Sequence, residues 1–492
     1  MIGERWTLLL NAKPRLPSAS ILSVGSCSTI FFVKDGCQTR APGCFFDWKF
    51  PLRDYDSRRM ERQARRRDRW SAGLSIGAFG VLLLLLAGVT GCTSFHGRGI
   101  QYRMEPRYAV DDPQFLRSMG QLVGPGILAS NRVTVLINGD QIFPAMLEAI
   151  RGAKKTITLE TYIYWSGTVG EQFAEALAER ARAGVRVHVL VDWIGSRKVD
   201  SNHLDIMRDD GVEVEKYNPL VWYNLARLNH RDHRKLLIVD GKVGFIGSAG
   251  FADFWLGNAD SPGHWRDSQF QLEGPAVGQM QAVFMDNWMK TTARVLDGSD
   301  FFPELGPAGN HYAQVFKSSP REGTEAVRLM YLLTMAAARK NIRLSASYFV
   351  PGGLTSDELV DACNRGVKIE IIVPGSKTDT PIARYASRAR WGPLLKAGVK
   401  IYEYQPTMCH CKMMIVDDVW VSVGSANFDN RSFRLNDESN LNVFSAEFAA
   451  EQIRIFEEDK KQSRQVTYED WNNRSLWKRV MEMLTAPFRA QL

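Results

Sequence analysis

Two short stretches of this 492-residue chain carry the same chemically capable residues in the same order. The first is His233, Lys235 and Asp240, followed by Gly247 and Ser248; the second is His410, Lys412 and Asp417, followed by Gly424 and Ser425. All five pairs are 177 positions apart. A period of that length is too large for a solenoid unit and points to a duplicated domain. An imidazole serves as nucleophile or as general acid and base near neutral pH, and an ammonium group beside it holds an anion. Two such sets brought together would supply attack, proton transfer and charge neutralisation at one place.

The elements that must position these groups are legible around them. On an extended strand His and Lys two residues apart share a face, about 6 to 7 Å apart. Four apolar residues separate each Lys from its Asp, the mark of a buried strand. Asp240-Gly241 then reads as a hairpin turn, which gives Asp240 a structural place at the strand end as well as a place in the motif. Strand and helix patterns alternate from about Asn131. Val133 to Ile137, Lys155 to Tyr164 and Val185 to Val191 read as strands, with helices over Gln141 to Ala153 and Glu171 to Ala183. The second half repeats the pattern: helix Ala326 to Arg339, extended Ile342 to Val350, helix Asp357 to Asn364, strand Val367 to Val373. Strands separated by helices predict an α/β layered fold in each half.

Length agrees, since 492 residues exceed what one core usually serves. The expected division is a non-native or unstructured extension (1–59), a signal or anchor (60–92), a linker and arm (93–130), a first domain (131–291), a linker (292–323), a second domain (324–460) and an amphipathic tail (461–492). The net charge of +8 belongs to the front: the first 92 residues hold 14 of the 62 Lys and Arg and 7 of the 54 Asp and Glu, leaving 48 against 47. A nearly neutral body removes the global case for a nucleic-acid partner, and none is expected. Seven cysteines at 27, 37, 44, 92, 363, 409 and 411 form no disulfide framework. Cys409-His410-Cys411 has a ligand-like look, but strand alternation turns both cysteines away from His410, so no metal site is expected.

Met60 opens a segment with five arginines, and an uncharged apolar run from Ser71 to Gly91 follows. A basic region followed by an apolar one is the pattern of an export signal. Its end, Val89-Thr90-Gly91-Cys92, resembles the lipobox of bacterial lipoproteins, which implies a lipidated Cys92; a single membrane anchor is the other reading, since about 20 apolar residues span a bilayer. Either leaves the arginines cytoplasmic and the rest exported. A signal placed sixty residues into a chain also leads to the expectation that translation starts at Met60.

The doubled His-x-Lys-x4-Asp, each with its later Gly-Ser, resembles the phospholipase D superfamily. The run Gly424-Ser425-Ala426-Asn427-Phe428-Asp429-Asn430-Arg431-Ser432 is most similar to the bacterial cardiolipin synthase branch, and the resemblance extends from about residue 131 to 460. It implies two similar phospholipase D-like α/β domains, with mixed sheets flanked by helices, whose motifs meet at one shared active site. A phosphodiester needs a nucleophile, a proton for the leaving alkoxide and cations around its oxygens, and two His and two Lys meet that need without a cofactor. By resemblance His233 is the nucleophile and His410 the acid and base; the residues alone do not order them. Lys235 and Lys412 would hold the phosphate with help from Ser248, Ser425 and Asn427. The family places an orienting carboxylate some thirty residues beyond each His, where Asp267 and Glu438 stand. Gly250 occupies the place of Asn427 in the first copy, so the halves are unequal.

The expected partners are a phospholipid substrate and a membrane surface, and the sequence carries nothing on oligomeric state. Phosphatidyl transfer that makes cardiolipin leads, a phospholipase D releasing phosphatidic acid follows, and an exported nuclease comes last. The aromatics Trp222, Tyr223, Phe251, Phe254 and Trp255 are candidates to seat acyl chains or to pack a core. Arg384, Arg388 and Arg390 form either a solvated face or a head-group clamp. Leu476, Trp477, Val480, Met481 and Leu484 recur at helical spacing near the C-terminus, for docking on the domain with partial contact to a membrane interface. His188, alone between two valines, reads as a packed strand histidine.

Overall fold

The computed structural model describes residues 99–220, 229–320, 323–487 and 491. The signal or anchor of 60–92, the start at Met60, Cys92 and the aromatics Trp222 and Tyr223 lie outside the described residues.

Among the described residues one sheet of fifteen strands runs through both halves. The first half contributes, from the centre outward, Leu128–Ile137, Ser268–Glu273, Val243–Gly247, Lys235–Val239, Thr156–Thr161, Arg186–Asp192 and Glu213–Tyr217. The second contributes His311–Ser318, Glu438–Phe444, Trp420–Gly424, Lys412–Val416, Asn341–Ala346, Lys368–Pro374, Lys400–Tyr404 and Ser463–Val466. The sheet is mixed: Thr156–Thr161 pairs parallel with Arg186–Asp192 but antiparallel with Lys235–Val239. Asn341–Ala346 does the same with Lys368–Pro374 and Lys412–Val416. The two halves are therefore built alike, with each motif strand buried along its whole length.

The boundaries differ from expectation in an instructive way. The stretch 292–323 is not only a connection, because His311–Ser318 is the innermost strand of the second half, pairing Glu438–Phe444 on one side and Leu128–Ile137 on the other. Its burial could not be inferred locally, since it lies among Gly and Pro that read as linker. Likewise the arm before residue 131 carries the helix Pro113–Leu122, whose Phe115 packs edge-on against Trp420 of the second half. Val110, Phe115 and Met119 are fully buried in that half's core.

A third apolar core lies between the halves, with Phe270, Leu272 and the helix Ala276–Thr292 from the first meeting Val421, Leu441 and Phe448 from the second. Fully burying such side chains is worth about 1.5 to 3 kcal/mol each, so the halves are joined by a genuine core. His188 is packed as expected, buried between the Trp288 and Phe301 rings, and burial lowers its pKa to about 4. No helix among the described residues is long and apolar enough to cross a membrane.

Candidate active site

The site forms where segments of the two halves pair directly. Asp232 bridges Asp437 and Arg266 bridges Cys409, both in parallel sense. His233 N donates to Asp437 O at 2.9 Å, and His410 N donates to Arg266 O at 2.7 Å. Each motif histidine is thus laid beside the segment that carries the other half's carboxylate. The consequence is crossed pairing. His233 Nδ1 lies 2.9 and 3.0 Å from the Glu438 oxygens, while His410 Nδ1 lies 2.9 Å from Asp267 Oδ2. Asp267 and Glu438, which the family resemblance pointed to some thirty residues beyond each His, both meet a motif histidine, and in each case it is the histidine of the opposite half.

Both carboxylates are fully buried. Glu438 also accepts from Ser425 Oγ at 2.5 Å, Ser432 Oγ at 2.8 Å and Asn436 Nδ2 at 3.2 Å. Asp267 accepts from Ser248 Oγ, from Trp255 Nε1 at 2.7 Å and from the Ser268 amide at 2.8 Å. Burial would raise both carboxyls, but the facing histidines, the nearby lysines and these hydroxyls hold both below the ordinary range. They stay ionised. Ser248 and Ser425 therefore hold the orienting carboxylates, a different part from the phosphate contact expected of them.

His233, Lys235 and His410 line one cavity of about 390 Å³, with Asn427, Arg231 and Arg431 also in its wall. Burial lowers the pKa of His233 to about 4, and the two lysines add to the effect against the opposing Glu438. With Nδ1–H directed at Glu438, the neutral ring keeps a lone pair on Nε2. His410 is lowered by burial and by Lys412. Burial lowers Lys235 to about 7, and Lys412 in the same direction. Lys235 Nζ donates to His233 O at 2.6 Å; Lys412 Nζ donates to His410 O and to Ser347 Oγ, both at 2.8 Å. An anion entering this cavity would restore the lysine charges.

Asn427 is buried in the wall with its side-chain carbonyl oxygen unpartnered. Gly250 has a physical reason to differ from it: a Cβ there would stand 2.9 Å from Ile163 Cβ and 3.2 Å from the Trp255 ring. The indole that fixes Asp267 fills the space an Asn side chain would need.

Asp240 and Asp417 are not brought to the cavity. Asp240 accepts the amides of Lys154, Lys155 and Thr156, and Asp417 those of Arg339, Lys340 and Asn341. They lie at the far ends of the motif strands, at φ of 51° and 52° in the turns that follow. The catalytic grouping of these two residues is corrected by geometry: they tie the turn to the neighbouring strand. Arg384 and Arg388, read from the sequence as either a solvated face or a head-group clamp, are ion-paired within the protein: Glu403 holds Arg384 at 2.6 Å, Arg388 at 2.7 Å and Arg464 at 3.0 Å. Cys409 and Cys411 point into the core between the halves, as strand alternation requires. Phe251 is core, whereas Trp255 belongs to the site through Asp267.

A family model described as "Cardiolipin synthase, PLD-like domain" matches residues 146–255 and 331–460, one motif in each segment. The major cardiolipin synthase ClsA of Bacillus subtilis (strain 168) is 36% identical over 359 residues, covering 72% of this chain and 74% of that protein.

The chain belongs to the cardiolipin synthase family. Cardiolipin synthase A of Pseudomonas putida (strain GB-1) is similarly 33% identical over 356 residues, 72% of this chain and 74% of that one. A crystal structure of phosphatidylserine synthase from Haemophilus influenzae Rd KW20 shares the fold, with a TM-score of 0.61 at 13% identity over 77% of this chain and 100% of that one. As a cardiolipin synthase family member, the protein is an enzyme of the phospholipase D superfamily. Its site contains residues that the motif repeat did not reveal. The Tyr162 ring lies 5.2 Å from His233, and Ser347 accepts from Lys412. Tyr162 and Ser347 follow equivalent strands, yet are 185 positions apart, so a search at an offset of 177 passes over them. Trp265, 5.4 Å from the His410 ring, stands two places before Asp267 and carried no signal beyond that neighbourhood.

Proposed function

We propose that the protein transfers a phosphatidyl group from phosphatidylglycerol, or a similar lipid, to the hydroxyl of a second lipid, giving cardiolipin. The observation that carries this reading is the convergence of His233, Lys235 and His410 on one cavity, each histidine held by a buried carboxylate of the opposite half and Lys412 bonded behind His410, in a chain of this family.

His233 Nε2 attacks phosphorus, forming the N–P bond as the bond to the head-group oxygen breaks. His410 gives its proton to the departing alkoxide. The same ring then takes the proton of the acceptor hydroxyl, whose oxygen displaces His233 from phosphorus. Lys235 and Lys412 face the anionic phosphoryl oxygens, and Asn427 adds a polar side chain from the second half only. Ser248, Ser425, Asp267 and Glu438 keep the two rings in their working tautomers. The substrate is met at a membrane surface, on the exported side of the membrane, in keeping with the signal or anchor pattern of residues 60–92.

The test is incubation of the protein with vesicles of labelled phosphatidylglycerol and, separately, with DNA. Cardiolipin plus glycerol is the expected product. Phosphatidic acid would make the enzyme a hydrolase, and cleavage of DNA alone would overturn the lipid reading. His233→Ala and His410→Ala should each abolish turnover.

A further inference from the structure

The C-terminal helix Leu476–Leu484 is amphipathic, yet it sits on the body the wrong way round for a helix whose apolar face is buried in a core. Its inward side is polar: Glu482 is buried and takes both an Nε and an Nη2 contact from Arg474, at 2.9 and 2.8 Å. Thr485, also buried, caps the Glu482 carbonyl. The apolar side faces outward. Leu476 is 77% exposed, Trp477 66%, Met483 66% and Leu484 56%, with half-buried Val480 between them at helical spacing. Lys478 and Arg479, both exposed, stand at the two edges of that stripe.

Two connections tie this face to the cavity. The helix packs on Pro381–Arg388, whose Ala383 lines the cavity and whose neighbouring Ile382 is 49% exposed. Gln491, seven positions beyond the helix, lines the cavity, accepting from Asn229 Nδ2 at 2.6 Å and from Arg431 Nη1 at 3.1 Å.

We infer that the outward face of Leu476–Leu484 is the surface by which the catalytic body seats on an anionic bilayer, setting the cavity mouth at the level of the lipid head groups. An exposed apolar stripe with an indole and flanking cations is what inserts at a head-group boundary, the apolar residues entering and the cations meeting lipid phosphates. A helix that served only to cover its own domain would bury Leu476 and Trp477 in place of Glu482. The inference rests on the lipid reading above, because it explains how a substrate held in a membrane reaches the two histidines.

The experiment uses the full chain and vesicles of phosphatidylglycerol carrying bromine on the acyl chains, which quench tryptophan emission at the boundary. The quenched fraction should fall in Trp477→Phe. In parallel, Leu476→Ser/Trp477→Ser/Leu484→Ser is compared with the parent on vesicles and on a short-chain phosphatidylglycerol dispersed as monomers. The ratio of the vesicle rate to the monomer rate should fall about tenfold, with the thermal midpoint retained, since the three side chains are exposed. A fall of less than about threefold overturns the inference, whatever anchors the rest of the chain. A change in sedimentation with an unchanged ratio would assign the face to a second copy and overturns it also. If the parent makes no cardiolipin from either lipid, the proposed function fails while the quenching still decides the docking: unchanged quenching in Trp477→Phe refutes it.

Discussion

Replacing Glu438 by Gln tests the crossed pairing most directly. The side chain keeps its shape but loses its charge, and its new NH2 must be fitted among four donors: His233 Nδ1, Ser425 Oγ, Ser432 Oγ and Asn436 Nδ2. The serine hydroxyls can turn to accept, whereas Asn436 Nδ2 and the Nδ1–H of His233 still need an acceptor. As His233 bonds to phosphorus its ring becomes cationic, and Glu438 beside it is then worth at most about 4 kcal/mol at 4 Å in an effective dielectric of 20. Exchanging a charge-assisted hydrogen bond for a neutral one costs about 1.5 kcal/mol as well. Since the two terms overlap, we expect a barrier higher by about 3 to 4 kcal/mol, or roughly 10² to 10³ in rate. The assay is rapid-quench measurement of the phosphoenzyme, with phosphatidylglycerol and with a nitrophenyl phosphodiester whose leaving group needs no proton. Glu438→Gln should slow formation from both. Asp267→Asn, which disturbs His410, should slow formation from the lipid and leave the nitrophenyl ester within about threefold. Equal losses from both variants on the nitrophenyl ester would refute crossed, divided roles, and a reversed pattern would make His410 the nucleophile.

The same geometry makes further predictions. With His233 titrating near 4, kcat/KM should have an acid limb near pH 4; its alkaline side should begin to fall below the ordinary imidazole range, as His410 loses the proton it gives to the leaving alkoxide, and fall further as Lys235 titrates near 7, while the alkaline limb of kcat should lie higher, because bound phosphate favours both cations. The lowered His233 pKa also acts on stability. Between pH 6.5 and 4 the unfolded chain binds the proton that the folded one refuses, so stability is fully present above 6.5 and about 3 kcal/mol is lost as pH falls to 4. The His233→Phe protein should show a shallower acid unfolding curve in that window. Asp240→Ala and Asp417→Ala each remove an acceptor for three backbone amides and should lower the unfolding free energy from denaturant titration by about 2 kcal/mol, with kcat within about threefold of the parent; a loss of more than about 10²-fold in a folded variant would return them to the chemistry. Gly250→Ala should destabilise by about 1 to 3 kcal/mol through Ile163 and Trp255, measured by thermal unfolding, so the Asn427 contact cannot simply be copied into the first half.

The chemistry of this protein was legible in its sequence because the reactive groups sit on short extended segments, where residue spacing alone sets which side chains share a face. His233 with Lys235, His410 with Lys412, and the buried strands that follow them needed no third dimension, and neither did the presence of Asp267 and Glu438. Which carboxylate serves which histidine did need it. That choice is made by the backbone pairing of Asp232 with Asp437 and of Arg266 with Cys409, across 205 and 143 positions respectively, and no local pattern encodes it. Ser248 and Ser425 were visible as motif residues, but whether a hydroxyl faces the cavity or a buried carboxylate depends on what packs beside it. His311–Ser318 became an inner strand, at the edge of the second half, only because another half-sheet lay ready to pair with it. The C-terminal helix shows the same division. Its amphipathic spacing is a property of the residues, while the direction in which its apolar face points is decided by the burial of Glu482 against Arg474.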